Sequence, residues 1–195
     1  MAEFLGHEYV TPITVRSNQP SFTSDTLNLR IQTVDLGVQR WEFGISFLES
    51  RDGDLHADLM GHYLQFGNGD AFNLEVPQNT AVENRLTASG TVNVNAAAAA
   101  GANVVNLRGT GLLPAGLLIT FSNHTKLYQV TLGSQLSSGG NNVHIYPALT
   151  TALTTSHTVN YSSVNASVKH APTNNSVSYS DGVLQRLTWN FIENL

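Results

Sequence analysis

Seven histidines, fourteen carboxylates and no cysteine are the material available for chemistry in this chain of 195 residues. The lack of cysteine removes disulfides, thiolate metal sites, iron–sulfur ligation and cysteine nucleophiles together. His7, His56, His62, His124, His144, His157 and His170 show no His-Glu-x-x-His spacing of the kind that holds zinc on a helix. His56 and His62 stand six residues apart around Asp58, so on a helix they project from different faces. The histidines are expected to be solvated or packed rather than ligands. Asp52-Gly53-Asp54 lacks the later positions of a calcium loop, including the bidentate glutamate, and fits a helix cap with a turn. A hydrolytic carboxylate pair would draw on Asp25, Asp35, Glu42, Glu49 and their neighbours, and their spacing selects no two of them. No Gly-x-Ser-x-Gly elbow occurs. Gly109-Thr110-Gly111 has neither the later glycine nor the lysine of a phosphate cradle, and with Leu112-Leu113-Pro114-Ala115-Gly116 behind it, it is expected to form a turn between strands. No catalytic residue, metal ligand or cofactor site is expected. Phe121, Tyr128, Tyr146 and Tyr161 could form a platform for sugars or bases, although alternation places most of them in a core, and Trp41 and Trp189 are expected to be core anchors.

The elements that carry these residues are mainly β. Only 12% of residues are charged, against about 25% in an average soluble protein, and the deficit is filled by 19 Thr, 19 Asn and 17 Ser, which favour strands, turns and caps. Residues 1–85 hold 12 acids and 5 bases, whereas residues 86–180 hold no acid and three bases, Arg108, Lys126 and Lys169. That shift, next to the polar stretch Gln78–Asn84, marks a domain junction. Trp41, Phe43, Ile45 and Phe47 alternate with Glu42, Gly44 and Ser46 as in a half-buried strand, and Leu27, Leu29 and Ile31 alternate similarly and could share its sheet. Leu55, Leu59, Met60, Tyr63 and Leu64 recur at helical spacing between a cap at Asp52 and a stop at Gly67–Asp70, and Phe72, Leu74 and Val76 resume strand alternation. The acid-free middle reads as seven short strands divided by Gly, Asn and Ser, with Ala96–Ala100 a connector or at most one helical turn. From Val183 to Ile192 the strand pattern returns, with Trp189 and Phe191 on one face. The expected architecture is a β-sandwich host with one helix, residues 1–80 and 172–195, carrying an inserted β-barrel at 81–171.

No stretch approaches the roughly 20 apolar residues of a membrane span, and the start, Met1 to Glu8, has two acids and no basic region, so no ordinary signal peptide is expected. With a formal net charge of -5 there is no general cationic field for nucleic acid or an anionic membrane.

Trp41-Glu42-Phe43-Gly44-Ile45-Ser46-Phe47, a helix ending near Phe66, and Phe72-Asn73-Leu74-Glu75-Val76-Pro77-Gln78 together resemble the N-terminal domain of distal tail proteins of long-tailed bacteriophages. Residues 112–121, 126–131 and 145–149 resemble the inserted OB-like barrel of the short members from phages of Gram-negative hosts, and residues 182–191 the returning strand of the host domain. The resemblance implies a structural virion protein at the tail tip: a homo-hexameric ring joining the tail tube protein to the baseplate hub protein. Tail fibre or collar proteins would surround it, and DNA would pass through its lumen without specific binding. It implies no catalytic residues. Acids among Glu42, Asp52, Asp54, Asp58 and Asp70 are expected to face that channel, where cationic walls would grip phosphate. Two other classes compete: a carbohydrate-binding module that recognises a host-envelope glycan through barrel aromatics, and a hydrolase using the acids of the first segment.

Overall fold

The computed structural model describes residues 3–4, 7–8, 10–25, 31–35, 38–47, 53–67, 69–172, 179–180, 183–184 and 187–195. Strands account for 50% of it and helices for 12%, the balance that the Thr, Asn and Ser content implies. The chain divides into two compact units, one formed by Glu3–Phe72 with Val168–Leu195 and the other by Asn73–Ser167. It passes between them inside the strands Phe72–Val76 and Val164–His170.

A five-stranded sheet runs in the order Val10–Asn18, Arg40–Phe47, Leu187–Glu193, Val164–His170, Phe72–Val76. The C-terminal strand lies antiparallel to Arg40–Phe47, with Trp189 opposite Ile45 and Phe191 opposite Phe43. Period two places Trp41, Phe43, Ile45, Phe47, Trp189 and Phe191 in the core, and Phe47 meets Trp189 edge-on at 6.0 Å between centroids. The backbone N–H of Trp41 donates to the buried Glu193 carboxylate (Oε2) at 3.1 Å. Ile31–Asp35 does not join this sheet. It pairs with Ser21–Asp25, closest in sequence, with Asp25 opposite Ile31. Leu27 and Leu29 lie outside the described residues, as do Asp52, Gln185 and Arg186.

The helix spans Gly53–Phe66. Its buried stripe runs through Leu55, Leu59 and His62, whereas Leu64 is 71% exposed, contrary to the expected face. Nine residues at 100° each carry Leu64 half a turn away from Leu55, so the i, i+4, i+7 seam admits the histidine and excludes the leucine. The helix ends where the Gly67 N–H donates to Tyr63 O at 2.7 Å; a Cβ at Gly67 would overlap that carbonyl.

In the other unit six antiparallel strands close into a barrel. Ser89–Val94 pairs with Val104–Leu113, then in turn come Asn141–Tyr146, Tyr128–Leu132, Leu118–Phe121 and Thr158–Asn160, which returns to Ser89–Val94. The hairpin-linked trio between Leu118 and Tyr146, with Val104–Leu113 laid beside its last strand, is a Greek key. Val92, Val94, Val105, Leu107, Val143 and Ile145 alternate inward and are sealed from solvent. Ala96–Ala100 is a connector, as expected, held to the Leu153 segment by a bridge at Ala98.

Two features depart from the expected pattern. Gly109-Thr110-Gly111 is not a turn: it lies within the long strand Val104–Leu113, and the turn follows at Pro114-Ala115-Gly116. Gly111 has φ +93°, and a Cβ there would sit 2.1 Å from Thr87 O, so glycine lets the strand bend as it changes partner from Asn141–Tyr146 to Ser134–Leu136. The polar stretch before residue 85 is not an open linker. Asn79 caps a short helix, Thr80–Glu83, by accepting from Ala81 N at 2.8 Å, and Val82 enters the barrel core. Gln78 acts as a surrogate strand partner: its Nε2 donates to Leu118 O at 2.7 Å and its Oε1 accepts from Leu118 N at 3.0 Å.

Candidate functional site

Asn95, the residue after Ser89–Val94, and the outward positions of Val104–Leu113 and Asn141–Tyr146 place a row of carboxamides across the barrel wall. Asn142 lies opposite Asn106 in the register, and the Asn95 N–H donates to Asn106 O at 2.8 Å. Asn95 Nδ2 donates to Asn106 Oδ1 at 2.7 Å and to Gly139 O at 3.1 Å, and Asn106 Nδ2 donates to Asn142 Oδ1 at 2.9 Å. The chain has a fixed sense. A backbone carbonyl only accepts, so Asn95 must present its amide nitrogen at the Gly139 end, and each following amide then accepts from one neighbour and donates to the next. The row therefore ends at Asn142 with an exposed NH2 group. Gly140 (φ +84°) permits this packing, because a Cβ would overlap both Asn95 and Asn106. Arg108 and His144, both exposed, share the outer face with Asn142.

At another part of the barrel the Tyr128 hydroxyl, fully buried, organises a small polar network. It accepts from Thr150 N at 3.1 Å and lies 3.1 Å from Thr150 Oγ1 and 2.8 Å from His124 Nε2. His124 Nδ1 in turn meets Asn123 Oδ1 at 2.7 Å. Burial, then the nearby His157 and Lys126, holds the His124 pKa below its ordinary value. The network ties the 121–128 hairpin to the 150 loop; its hydroxyl has no access to a substrate.

In the sheet unit His62 and His170 are both buried, with His170 Nε2 3.4 Å from His62 Nδ1. Rings enclose them: His62 stacks on Trp189 at 5.9 Å and meets Phe72 edge-on at 4.6 Å, while Tyr63 and Phe191 abut His170. Burial and the adjacent His170 ring push the His62 pKa down to about 4, and burial lowers that of His170. The pair is thus neutral at neutral pH and packed as core. Its approach across 108 residues was not visible in the sequence, where only the i, i+7 step from Leu55 hinted that His62 turns inward.

Asp54, Asp58 and Asp70 are exposed, and Glu42 is half-buried and accepts from Asn18 Nδ2 at 2.6 Å. Of the barrel aromatics, Phe121 and Tyr128 are inside the core; Tyr146 and Tyr161 are half-buried, and the Tyr161 hydroxyl donates to Gly90 O at 2.7 Å. Trp41 and Trp189 are core residues. Among the described residues no three metal-ligating side chains cluster, and no helix is long and apolar enough to cross a membrane. No protein-family model matches the chain, and no curated protein matches it in sequence.

Proposed function

We propose that this protein is a structural component of a phage tail tip: a distal tail protein that assembles as a sixfold ring between the tail tube and the baseplate hub. In this reading the sheet unit is the sandwich belt of the ring, and the barrel is an OB-like module carried by it. The observation that supports it best is the topology of the insertion. A closed barrel leaves and re-enters the chain within two neighbouring strands of a sheet that the C-terminal strand completes, and this is the order of features in the resemblance to the distal tail family. Charge adds support, since the exposed acids Asp54, Asp58 and Asp70 belong to the sheet unit, on the side of the chain proposed to surround DNA. The glycan-binding alternative through Phe121 and Tyr128 loses ground, because a ring sealed in a core cannot stack on a sugar.

Native mass spectrometry of the purified chain tests the proposal. A six-chain species, with Asp54, Asp58 or Asp70 mapping to its inner surface by hydroxyl-radical footprinting, is the expected result. A stable monomer at concentrations well above those in an infected cell refutes it.

A further inference from the structure

We infer that the outer wall of the barrel, at Arg108, Asn142 and His144, binds an acidic polysaccharide. This wall lies apart from the buried Phe121 and Tyr128, and its chemistry does not depend on ring assembly.

The wall is rich in donors. The directional carboxamide row leaves Asn142 with its NH2 group outward and its acceptor already used by Asn106. Arg108, two residues beyond Asn106 on the same face, contributes up to five N–H donors, and residues 86–180 contain no carboxylate to consume them. His144 adds an exposed imidazole two residues along from Asn142. Such a face matches a ligand made of acceptors, and a guanidinium matches a carboxylate or phosphate bidentately.

Its dimensions suit an oligomer. Diagonal neighbours on adjacent strands, such as Arg108 and Asn142, stand about 7–8 Å apart, and His144 follows after roughly another 7 Å along the strand. Beside His144 in the register is Leu132, 60% exposed, an apolar contact for the flat face of a sugar ring. The row is also rigid before any ligand arrives, because Asn95, Gly139 and Asn106 hold one another, which lowers the entropy lost on binding.

Magnitudes separate this ligand from nucleic acid. Tight phosphate-backbone binding takes about 6–10 phosphate contacts, whereas the wall has one guanidinium in a protein of net charge -5. One guanidinium flanked by neutral donors fits a single acid group set among hydroxyls, as in a polymer whose acid groups are isolated from one another.

The test uses the full chain on an array of uronate, sialylated and phosphorylated oligosaccharides, with neutral oligosaccharides and a single-stranded DNA oligomer alongside, followed by titration calorimetry of the best acidic binder. Binding to acidic glycans in preference to neutral ones is expected, with affinity falling about tenfold in Arg108→Ala and by a similar factor in Asn142→Asp, which replaces the donor with a charge that repels the ligand. Both side chains are exposed, so an unchanged circular dichroism spectrum accompanies the loss. Retention of no acidic glycan, preference for neutral glycans or for DNA, or affinities unaltered by both substitutions overturns the inference.

Discussion

Acid should loosen the sheet unit through His62. The imidazole is 6% exposed and its pKa falls from 6.5 to about 4. Above pH 6.5 it is neutral folded and unfolded and adds no pH dependence. As pH falls through 6.5 the unfolded chain takes up a proton that the folded core refuses. Stability is then lost by up to about 1.4 kcal/mol per pH unit until the folded value near 4 is passed, for a total of roughly 3 kcal/mol. His170, lowered in the same direction by burial, adds to the loss as pH falls below 6.5. The chain contains two tryptophans, Trp41 and Trp189, and both lie in the sheet unit, so urea unfolding followed by tryptophan fluorescence reports that unit alone. Comparing the native protein with His62→Phe and His62→Gln at pH 7 and pH 4 cancels the contribution of the carboxylates. The native protein is expected to lose roughly 3 kcal/mol more than either variant between the two pH values. Equal losses in native and variant proteins would refute the claim that a neutral histidine is held in this core.

Other substitutions probe the elements separately. Gly111→Ala places a Cβ against Thr87 O at a φ of +93° and is expected to destabilise the barrel by about 3 kcal/mol or more, measured by thermal melting in the far ultraviolet. Tyr128→Phe keeps the ring but removes the oxygen that accepts from Thr150 N; a loss of about 1–3 kcal/mol in the same assay is expected. Glu193→Ala leaves the buried Trp41 N–H without that carboxylate and should lower the urea midpoint of the tryptophan transition by an amount equivalent to about 1–3 kcal/mol. Asn79→Ala removes the cap of Thr80–Glu83 and should cost about 1 kcal/mol, with faster amide exchange at Ala81.

Much of the strand content was legible because alternation over half-buried strands is a local signal. Trp41 to Phe47, Phe72 to Val76 and the valines of the barrel carry their burial in period two. The features that escaped depend on distant partners. Gly109 to Gly111 reads as a turn by composition, and only Thr87 pressing against the backbone explains why glycine stands inside a strand. Gln78 and Val82 read as a polar junction, yet residues 40 positions away give one of them a strand-like role. Leu64 belongs by type to a buried face, whereas the geometry of the helix turns His62 inward and Leu64 outward. The carboxamide row was invisible for the same reason: Asn95, Asn106 and Asn142 are unremarkable among 19 asparagines until the register aligns them.

The sheet order has a consequence for how the chain folds. Phe72–Val76 and Val164–His170 are neighbours in the sheet although residues 77–163 separate them. Bringing those two strands together from an unstructured chain closes a loop with a length-dependent entropic penalty of about 4 kcal/mol. If the barrel closes first, its stem strands are already gathered and the long-range pairing becomes a local one. The Greek key would then act as the nucleation step for the whole chain, and lesions such as Gly111→Ala should slow the folding of the tryptophan-bearing sheet that they do not touch.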